Sequence, residues 1–313
     1  MPKDFLSVAD WSADDLWAMA DRAASLRTAH REGRHERTLE GKTLAMYFEK
    51  PSLRTYVTFE AGLSQLGGHG ILLKPEQIGI GTRETAPDVA RSLSRWVDGL
   101  MARTFSHALV EELAAEATIP VINGLTDALH PCQAMADLVT IAQYMKPQDA
   151  VVAYVGDGNN VVHSLILLAS VLGLRLHVAT PESHRPDAGV LARARALAQA
   201  SGAELVLGED PVAAVRGVDF VYTDTWTSMG QEEEGAARRE IFRDYQVNDA
   251  LLAHAKDAKV MHCLPAHRGE EVTDAILDGP RSIVFDQAEN RLHAQNAVLE
   301  FLLTPRTPSS SSC

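Results

Sequence analysis

Short apolar runs with strand character alternate with helix-like segments along most of this chain. Thr43–Phe48, Ile71–Leu73 and Gly99–Arg103 read as strands. Between and after them, Thr55–Leu66, Asp88–Val97 and Val110–Ala117 read as helices, the first with Val57, Phe59, Leu63 and Leu66 as apolar positions and Gly67-Gly68 at its end. The pattern resumes with strands at Val151–Val155, Leu174–Ala179, Phe220–Asp224, Val260–Leu264 and Ile283–Phe285, and helices at Val161–Leu172 and Val190–Ser201. Such alternation predicts an α/β protein with parallel sheets flanked by helices.

With 313 residues, the chain has room for two lobes with a core each. The first is expected over 1–137 and the second over 138–287. A helix crosses between them in Asp137–Gln148, ended by Pro147, and a last helix near Ala288–Leu303 packs back on the first lobe. An amphipathic helix opens the chain, capped by Ser12, with Leu16, Met19, Ala20, Ala23 and Leu26 on one face. The tail over 304–313, with two Pro and four Ser, is expected to be disordered.

The formal charge of −13 argues against a nucleic acid or an anionic membrane as partner. No stretch approaches the roughly 20 apolar residues of a membrane span, and the start lacks a signal peptide's apolar region. Cys132, Cys263 and Cys313 show no metal or redox spacing, which fits a reducing cytoplasm.

In an open parallel sheet, ligand groups gather beyond the carboxyl ends of the strands. Four polar segments follow apolar runs or loops here: Ser52-Leu53-Arg54-Thr55, His130-Pro131-Cys132-Gln133, Asp224 with Ser228-Met229-Gly230, and His262-Cys263-Leu264-Pro265. Ser52–Thr55 offers a helix N-terminus, two hydroxyls and an Arg that can grip phosphate through two parallel hydrogen bonds. Taken alone, it reads more readily as an ordinary cap with a surface Arg. Arg103 ends a strand, where function and a structural salt bridge are both common. His130 precedes Pro131 and is biased toward an extended backbone.

Gly156-Asp157-Gly158-Asn159-Asn160 is a strand–turn–helix junction that matches a dinucleotide fingerprint only in part, because position 161 is Val. Its two Asn offer neutral donors and acceptors, and Asp224 offers a carboxylate for an ammonium. Asp224 as a helix cap and Cys263 as a buried core thiol are the plainer alternatives. Together, a phosphate clamp, a carbonyl-activating group, an amine-binding acid and a thiol suggest group transfer from an acyl phosphate to an amine.

The set Phe48–Thr55, Arg103-Thr104, His130–Gln133, Asp157–Asn160, Asp224 through Gly230 and His262–Pro265 resembles the ornithine carbamoyltransferases, from roughly Leu39 to Leu302. The resemblance implies two lobes with the active site between them. It implies transfer of the carbamoyl group of carbamoyl phosphate to the side-chain amine of L-ornithine, giving L-citrulline and phosphate. Carried over by position, it gives Ser52, Leu53, Arg54, Thr55, Arg103, His130, Gln133, Cys263, Leu264 and Arg291 as carbamoyl phosphate contacts. Gln77 matches a loop residue that reaches a neighbouring subunit's site, and Asn160, Asp224, Ser228 and Met229 match ornithine contacts. Arg54, Arg103, His130 and Cys263 would be the catalytic groups.

The resemblance also implies no metal or organic cofactor, a homotrimer or a multiple of trimers, and a place in arginine metabolism. Leu53 stands where the family's commonest form has Thr, and Tyr56 where it often has Arg. The Gly-rich stretch after Gln77-Ile78-Gly79, expected to be a mobile loop, is longer than usual.

Three other readings compete. Putrescine or an acylated ornithine could replace ornithine, but such relatives differ in the amine-site loops. A non-catalytic binding protein that keeps the fold is hinted at by Tyr56 and the loop after Gly79. A nucleotide-dependent oxidoreductase rests only on Gly156-Asp157-Gly158.

Overall fold

The computed structural model describes residues 3–227 and 232–304. It contains two fully parallel sheets. The first comprises β1 (Thr43–Phe48), β2 (His69–Leu73), β3 (Gly99–Arg103) and β4 (Val121–Leu125), in the order β2-β1-β3-β4. The second comprises β5 (Val151–Val155), β6 (Arg175–Ala179), β7 (Glu204–Gly208), β8 (Phe220–Thr223) and β9 (Lys259–His262), in the order β7-β6-β5-β8-β9. Strands β1 and β3 are apolar almost throughout and buried, as strands covered on both faces must be.

Alternation of side chains across each strand divides the core. On one face of the first sheet, Ala45, Tyr47, Leu100 and Ala102 pack with Val89, Val110 and Leu113 of the covering helices. On the other face, Leu44, Met46, Met101 and Ile122 join a larger cluster. That cluster continues through Leu138 and Val298 to Tyr154, Phe220 and Tyr222 of the second sheet. One apolar layer, built on helices Pro131–Tyr144, Asn160–Leu172 and Val284–Leu303, therefore lies against one face of each sheet. The first helix, Ala13–Arg31, packs on the last, and Arg22 Nε donates to Glu300 Oε2 at 2.6 Å.

Several expected elements differ. Ile283–Phe285 is not a strand. Ser282 makes a single bridge to Val260, Ile283 donates to Val260 O at 2.9 Å, and the chain then enters the last helix at Val284. β9 stops at His262, so Cys263 and Leu264 lie in the turn beyond it, and Asp224 lies just past β8. The crossing helix ends at Tyr144, and Pro147 instead opens a short 3-10 turn, Pro147–Asp149. β4 and β7 were not read from the sequence: β4 contains Asn123-Gly124, a turn signal, and β7 is a largely exposed edge. The stretch after Gln77 begins with a short helix, Pro75–Ile78, and is closed by an Ile80–Glu84 bridge, with Gly79 and Gly81 at positive φ. The tail expectation lies outside the described residues beyond Thr304.

Candidate active site

The polar ends of both sheets open on one cavity of about 920 Å³. Arg103 closes β3, the Lys50–Thr55 segment follows β1, and His130 follows β4. From the second sheet come Asp157 after β5, Asp224 after β8 and Cys263 after β9. Every one lies at or beyond a strand's carboxyl end, the position predicted for ligand groups.

The wall on the first sheet is cationic. Ser52 caps helix Leu53–Gln65, its Oγ accepting the Thr55 N–H at 3.2 Å. Thr55 Oγ1 accepts from Arg103 Nη1 at 3.4 Å and Arg291 Nη2 at 3.1 Å. Arg291 also donates to Gln133 Oε1 at 2.8 Å and Gln295 Oε1 at 3.1 Å. Among the described residues, no carboxylate forms an ion pair with Arg54, Arg103 or Arg291. The cost is visible in their titration. Burial, and then the charges of Arg291 and Arg54, push Arg103 down to about 9. Burial and the three guanidiniums hold the His130 imidazole well below its ordinary range, so it is neutral, and its Nδ1 has no partner among the described residues. Buried cations without carboxylates favour an anion between them.

The wall on the second sheet is acidic and neutral. Cys263 Sγ donates to Asp224 Oδ1 at 2.9 Å, and Asn159 Nδ2 donates to Asp224 Oδ2 at 2.8 Å. Burial and the adjacent Asp224 carboxylate push the Cys263 thiol well above its ordinary value, so it remains a thiol. Asn159 Oδ1 meanwhile caps helix Asn160–Leu172 by accepting from the Val161 and Val162 N–H groups. Leu264, at φ 57, occupies the left-handed region, which costs an L residue about 1 kcal/mol, and its N–H donates to His262 Nδ1 at 2.8 Å. His262 Nε2 lies 3.0 Å from Glu271 Oε1. With Nδ1 accepting, the proton sits on Nε2, toward that carboxylate.

Twelve of the predicted site residues line this cavity: Ser52, Leu53, Arg54, Thr55, Arg103, His130, Gln133, Asn160, Asp224, Cys263, Leu264 and Arg291. Asn160, however, turns its amide to Thr126 O at 2.5 Å, while its neighbour Asn159 reaches Asp224. Gln77 does not line the cavity; it is exposed, and its Oε1 accepts the Lys74 N–H at 3.0 Å. Ser228, Met229 and Gly230 lie outside the described residues.

Sequence reasoning missed the Asp157–Arg238 pair on the cavity wall, 2.7 Å apart and nearly enclosed. Arg238 also donates through Nε to Trp226 O and lies over the Phe242 ring, 5.3 Å from its centre. No local motif announces that arginine. Among the described residues, two clusters bring metal-ligating atoms within 4.8 Å: Asp224 with His262 and Cys263, and His267 with Glu270 and Glu271. In the first, the His262 nitrogens, the thiol and the carboxylate are already engaged with one another or with Leu264, Glu271 and Asn159. At the Gly156-Asp157-Gly158 turn, a Cβ on Gly158 would lie 2.4 Å from His184 O. The close approach that this glycine permits is taken up by the chain's own backbone.

Residues 3–143 match the family model described as the carbamoyl-P binding domain of aspartate/ornithine carbamoyltransferase, and residues 148–302 match its Asp/Orn binding domain. An ornithine carbamoyltransferase of Syntrophus aciditrophicus is 52% identical over 97% of this chain and 100% of that protein. The solved ornithine carbamoyltransferase of Pyrococcus furiosus superposes with a TM-score of 0.93 at 51% identity, covering 96% of each chain. That of Giardia lamblia, at 33% identity, gives 0.88 over 97% of this chain and 99% of its own.

Proposed function

With the chain belonging to the aspartate/ornithine carbamoyltransferase family, we propose the following reading of its site. The protein is an enzyme that transfers the carbamoyl group from carbamoyl phosphate to the side-chain amine of L-ornithine, giving L-citrulline and phosphate. The observation that carries the reading is the pairing of two walls across one cavity. Three arginines lacking carboxylates face a carboxylate–thiol pair, as a dianionic acyl phosphate and a cationic amine require.

Carbamoyl phosphate binds with its phosphate on Ser52, the Leu53 N–H, Arg54 and Thr55, and with Arg103 and Arg291 beside it. Gln133 and the Leu264 carbonyl orient the carbamoyl NH2. Ornithine binds with its side-chain amine at Asp224 and Cys263, and Asn160, Ser228 and Met229 complete that subsite. Asn159, which holds Asp224, fixes the carboxylate's direction.

The amine, with a pKa of about 10.4, must be neutral to attack, which costs roughly 4 kcal/mol at a pH of about 7.4. Juxtaposition with the bound acyl phosphate lowers the barrier by about 7–11 kcal/mol when the geometry is right. As nitrogen attacks the carbonyl carbon, negative charge grows on the carbonyl oxygen. Thr55, Arg103 and the neutral His130 stabilise it. The C–O bond to phosphate then breaks, the electron pair leaves with phosphate, the attacking nitrogen gives its extra proton to the departing phosphate, and the arginines neutralise the resulting dianion.

The lobes divide the work, with 1–137 and the last helix serving carbamoyl phosphate and 138–287 serving ornithine. The assembly is a homotrimer or a multiple of trimers. Its support is the position of Gln77 outside its own cavity, together with exposed Leu53, Tyr56 and Val57 near the mouth. The enzyme works in the cytoplasm, in arginine metabolism. No described helix is long and apolar enough to cross a membrane, and Cys132 and Cys263 are both free.

The test is citrulline formation by purified protein, with putrescine and N-acetylornithine run alongside ornithine. Turnover with ornithine alone is expected. Turnover only with another amine would overturn the amine site and keep the phosphate site. Binding of carbamoyl phosphate without turnover would favour a binding protein.

A further inference from the structure

Between the two subsites lies a buried polar chain whose middle members, Asp137 and Gln287, have no role in the mechanism above. Arg291 Nη1 donates to Gln133 Oε1 at 2.8 Å, and Gln133 Nε2 donates to Asp137 Oδ1 at 2.8 Å. The same Asp137 oxygen accepts from Gln287 Nε2 at 2.7 Å, and Gln287 Oε1 accepts the His262 N–H at 2.8 Å. From His262 the chain runs to the Leu264 N–H and to Glu271. Asp137 is 1% exposed, and Gln287 and His262 are fully enclosed. Gln287 does not line the cavity.

An amide has two unlike ends, and here a single carboxylate oxygen decides how two amides face. By taking the NH2 of Gln133 it turns that side chain's carbonyl to Arg291. By taking the NH2 of Gln287 it turns that carbonyl to the backbone of the turn carrying Cys263 and Leu264. A flip of either glutamine would set its NH2 against a guanidinium or a backbone N–H, donor against donor. A buried network satisfied in only one orientation is rigid.

On the carbamoyl-transfer reading above, we propose that Asp137 is a positioning residue that couples the two substrate subsites through Gln133 and Gln287. It keeps the phosphate-side arginine and the amine-side turn in fixed register, so a disturbance on either side reaches the other.

The chemistry of the carboxyl supports this. Its second oxygen and the facing Tyr222 hydroxyl are both buried without a hydrogen-bond partner among the described residues. Burial pushes the Asp137 carboxyl up to about 7, against the lowering effect of the hydrogen bonds from the two glutamines. In its protonated form the group presents a carbonyl oxygen to the glutamines and a donor to Tyr222. Asparagine presents the same pair.

The experiment is steady-state kinetics in both substrates, with thermal midpoints, for the full-length wild type, Gln287→Met, Asp137→Asn and Asp137→Leu. Gln287→Met removes an amide that touches no substrate. It is expected to raise the carbamoyl phosphate KM about tenfold as well as the ornithine KM, the loss of about one well-placed hydrogen bond. Asp137→Asn is expected to stay within about threefold of wild type in both, because it keeps the acceptor and supplies the donor. Asp137→Leu, if it folds, is expected to raise both KM values. The coupling is overturned if Gln287→Met lowers the midpoint with kinetics unchanged, or raises the ornithine KM alone. A wild type without citrulline synthesis would instead remove the reading beneath it.

Discussion

Cys263 Sγ sits 2.9 Å from Asp224 Oδ1 and donates its proton to that carboxylate. A thiol in this position is held neutral by the charge it touches, and the carboxylate in turn gains a donor that an incoming ammonium can replace. Asp224→Asn removes the neighbouring negative charge and lets the Cys263 pKa fall. Alkylation of Cys263 by iodoacetamide at pH 8, followed peptide by peptide, is therefore expected to be faster in Asp224→Asn than in wild type. Cys132, fully buried and pushed up to about 12, should stay unmodified in both. Equal rates at Cys263 would mean that the carboxylate does not control the thiol.

The phosphate clamp makes a separate demand. Arg54 reaches into the cavity from the capped helix, whereas Arg103 is buried against Thr55. Arg54→Ala and Arg103→Met should each lower kcat/KM by about 10²–10³, the loss usual for one donor aimed at developing charge. Arg103→Lys should restore little, because an ammonium cannot reproduce the planar fork. Near-normal turnover in Arg54→Ala would remove it from the clamp.

Much of this site was legible because its signals are local. Ser52 caps a helix directly after β1, and Arg103 ends β3, so strand pattern and cap chemistry placed both at the cavity. That Asn159 would hold Asp224 was not legible. Helix register explains it: Asn159 spends its oxygen on the cap, which points its NH2 at Asp224. Arg238 was not legible either, since its partner Asp157 lies on another element and nothing adjacent in sequence marks the pair. Ile283–Phe285 misled because three apolar residues fit a buried strand as well as a helix start. Only the bonds around Val260 decide between them.

Stability should fall in mild acid through His293. Its ring is 1% exposed beside Glu289 and His30, and burial pushes its pKa down from 6.5 to about 4. Between those values the unfolded chain binds a proton that the folded protein refuses, so stability drops as pH falls from 6.5 toward about 4. At about 1.36 kcal/mol per unit the loss is on the order of 3 kcal/mol. His293→Gln, which cannot titrate, should gain about 2 kcal/mol relative to wild type between pH 7 and pH 4.5 in urea unfolding at fixed protein concentration. An unchanged difference between the two pH values would mean that His293 protonates without cost in the fold.

Glycine is required at position 158 for a steric reason. A methyl group there would meet the backbone of His184, Arg185 and Pro186 at 2.4–2.5 Å, none of it the end of a flexible side chain. Gly158→Ala must push that segment away from the turn that carries Asn159, and with it the amide holding Asp224. A rise in the ornithine KM of about tenfold, with the carbamoyl phosphate KM changed far less, is the expected result. A loss of stability with both constants unchanged would confine the glycine to packing.

Arg238 should matter most for the amine. It joins Asp157 on the cavity wall to the Trp226 carbonyl, on the strand side of the segment carrying Ser228 and Met229. Burial raises Asp157 to about 6 even with Arg238 pulling it down. Arg238→Met removes that pull, so the carboxyl's folded pKa should climb further above its unfolded value. A group raised in this way stabilises the fold while protonated, and that contribution disappears as pH rises through the folded pKa. The variant should therefore lose stability relative to wild type as pH increases from 6 to 8, by up to a few kcal/mol, the usual cost of breaking a buried pair from one side. Its ornithine KM should rise over the same range, while Asp157→Asn in the same chain should flatten both trends by removing the charge left unpaired. A double variant as pH-dependent as Arg238→Met would place the sensitivity elsewhere on the wall.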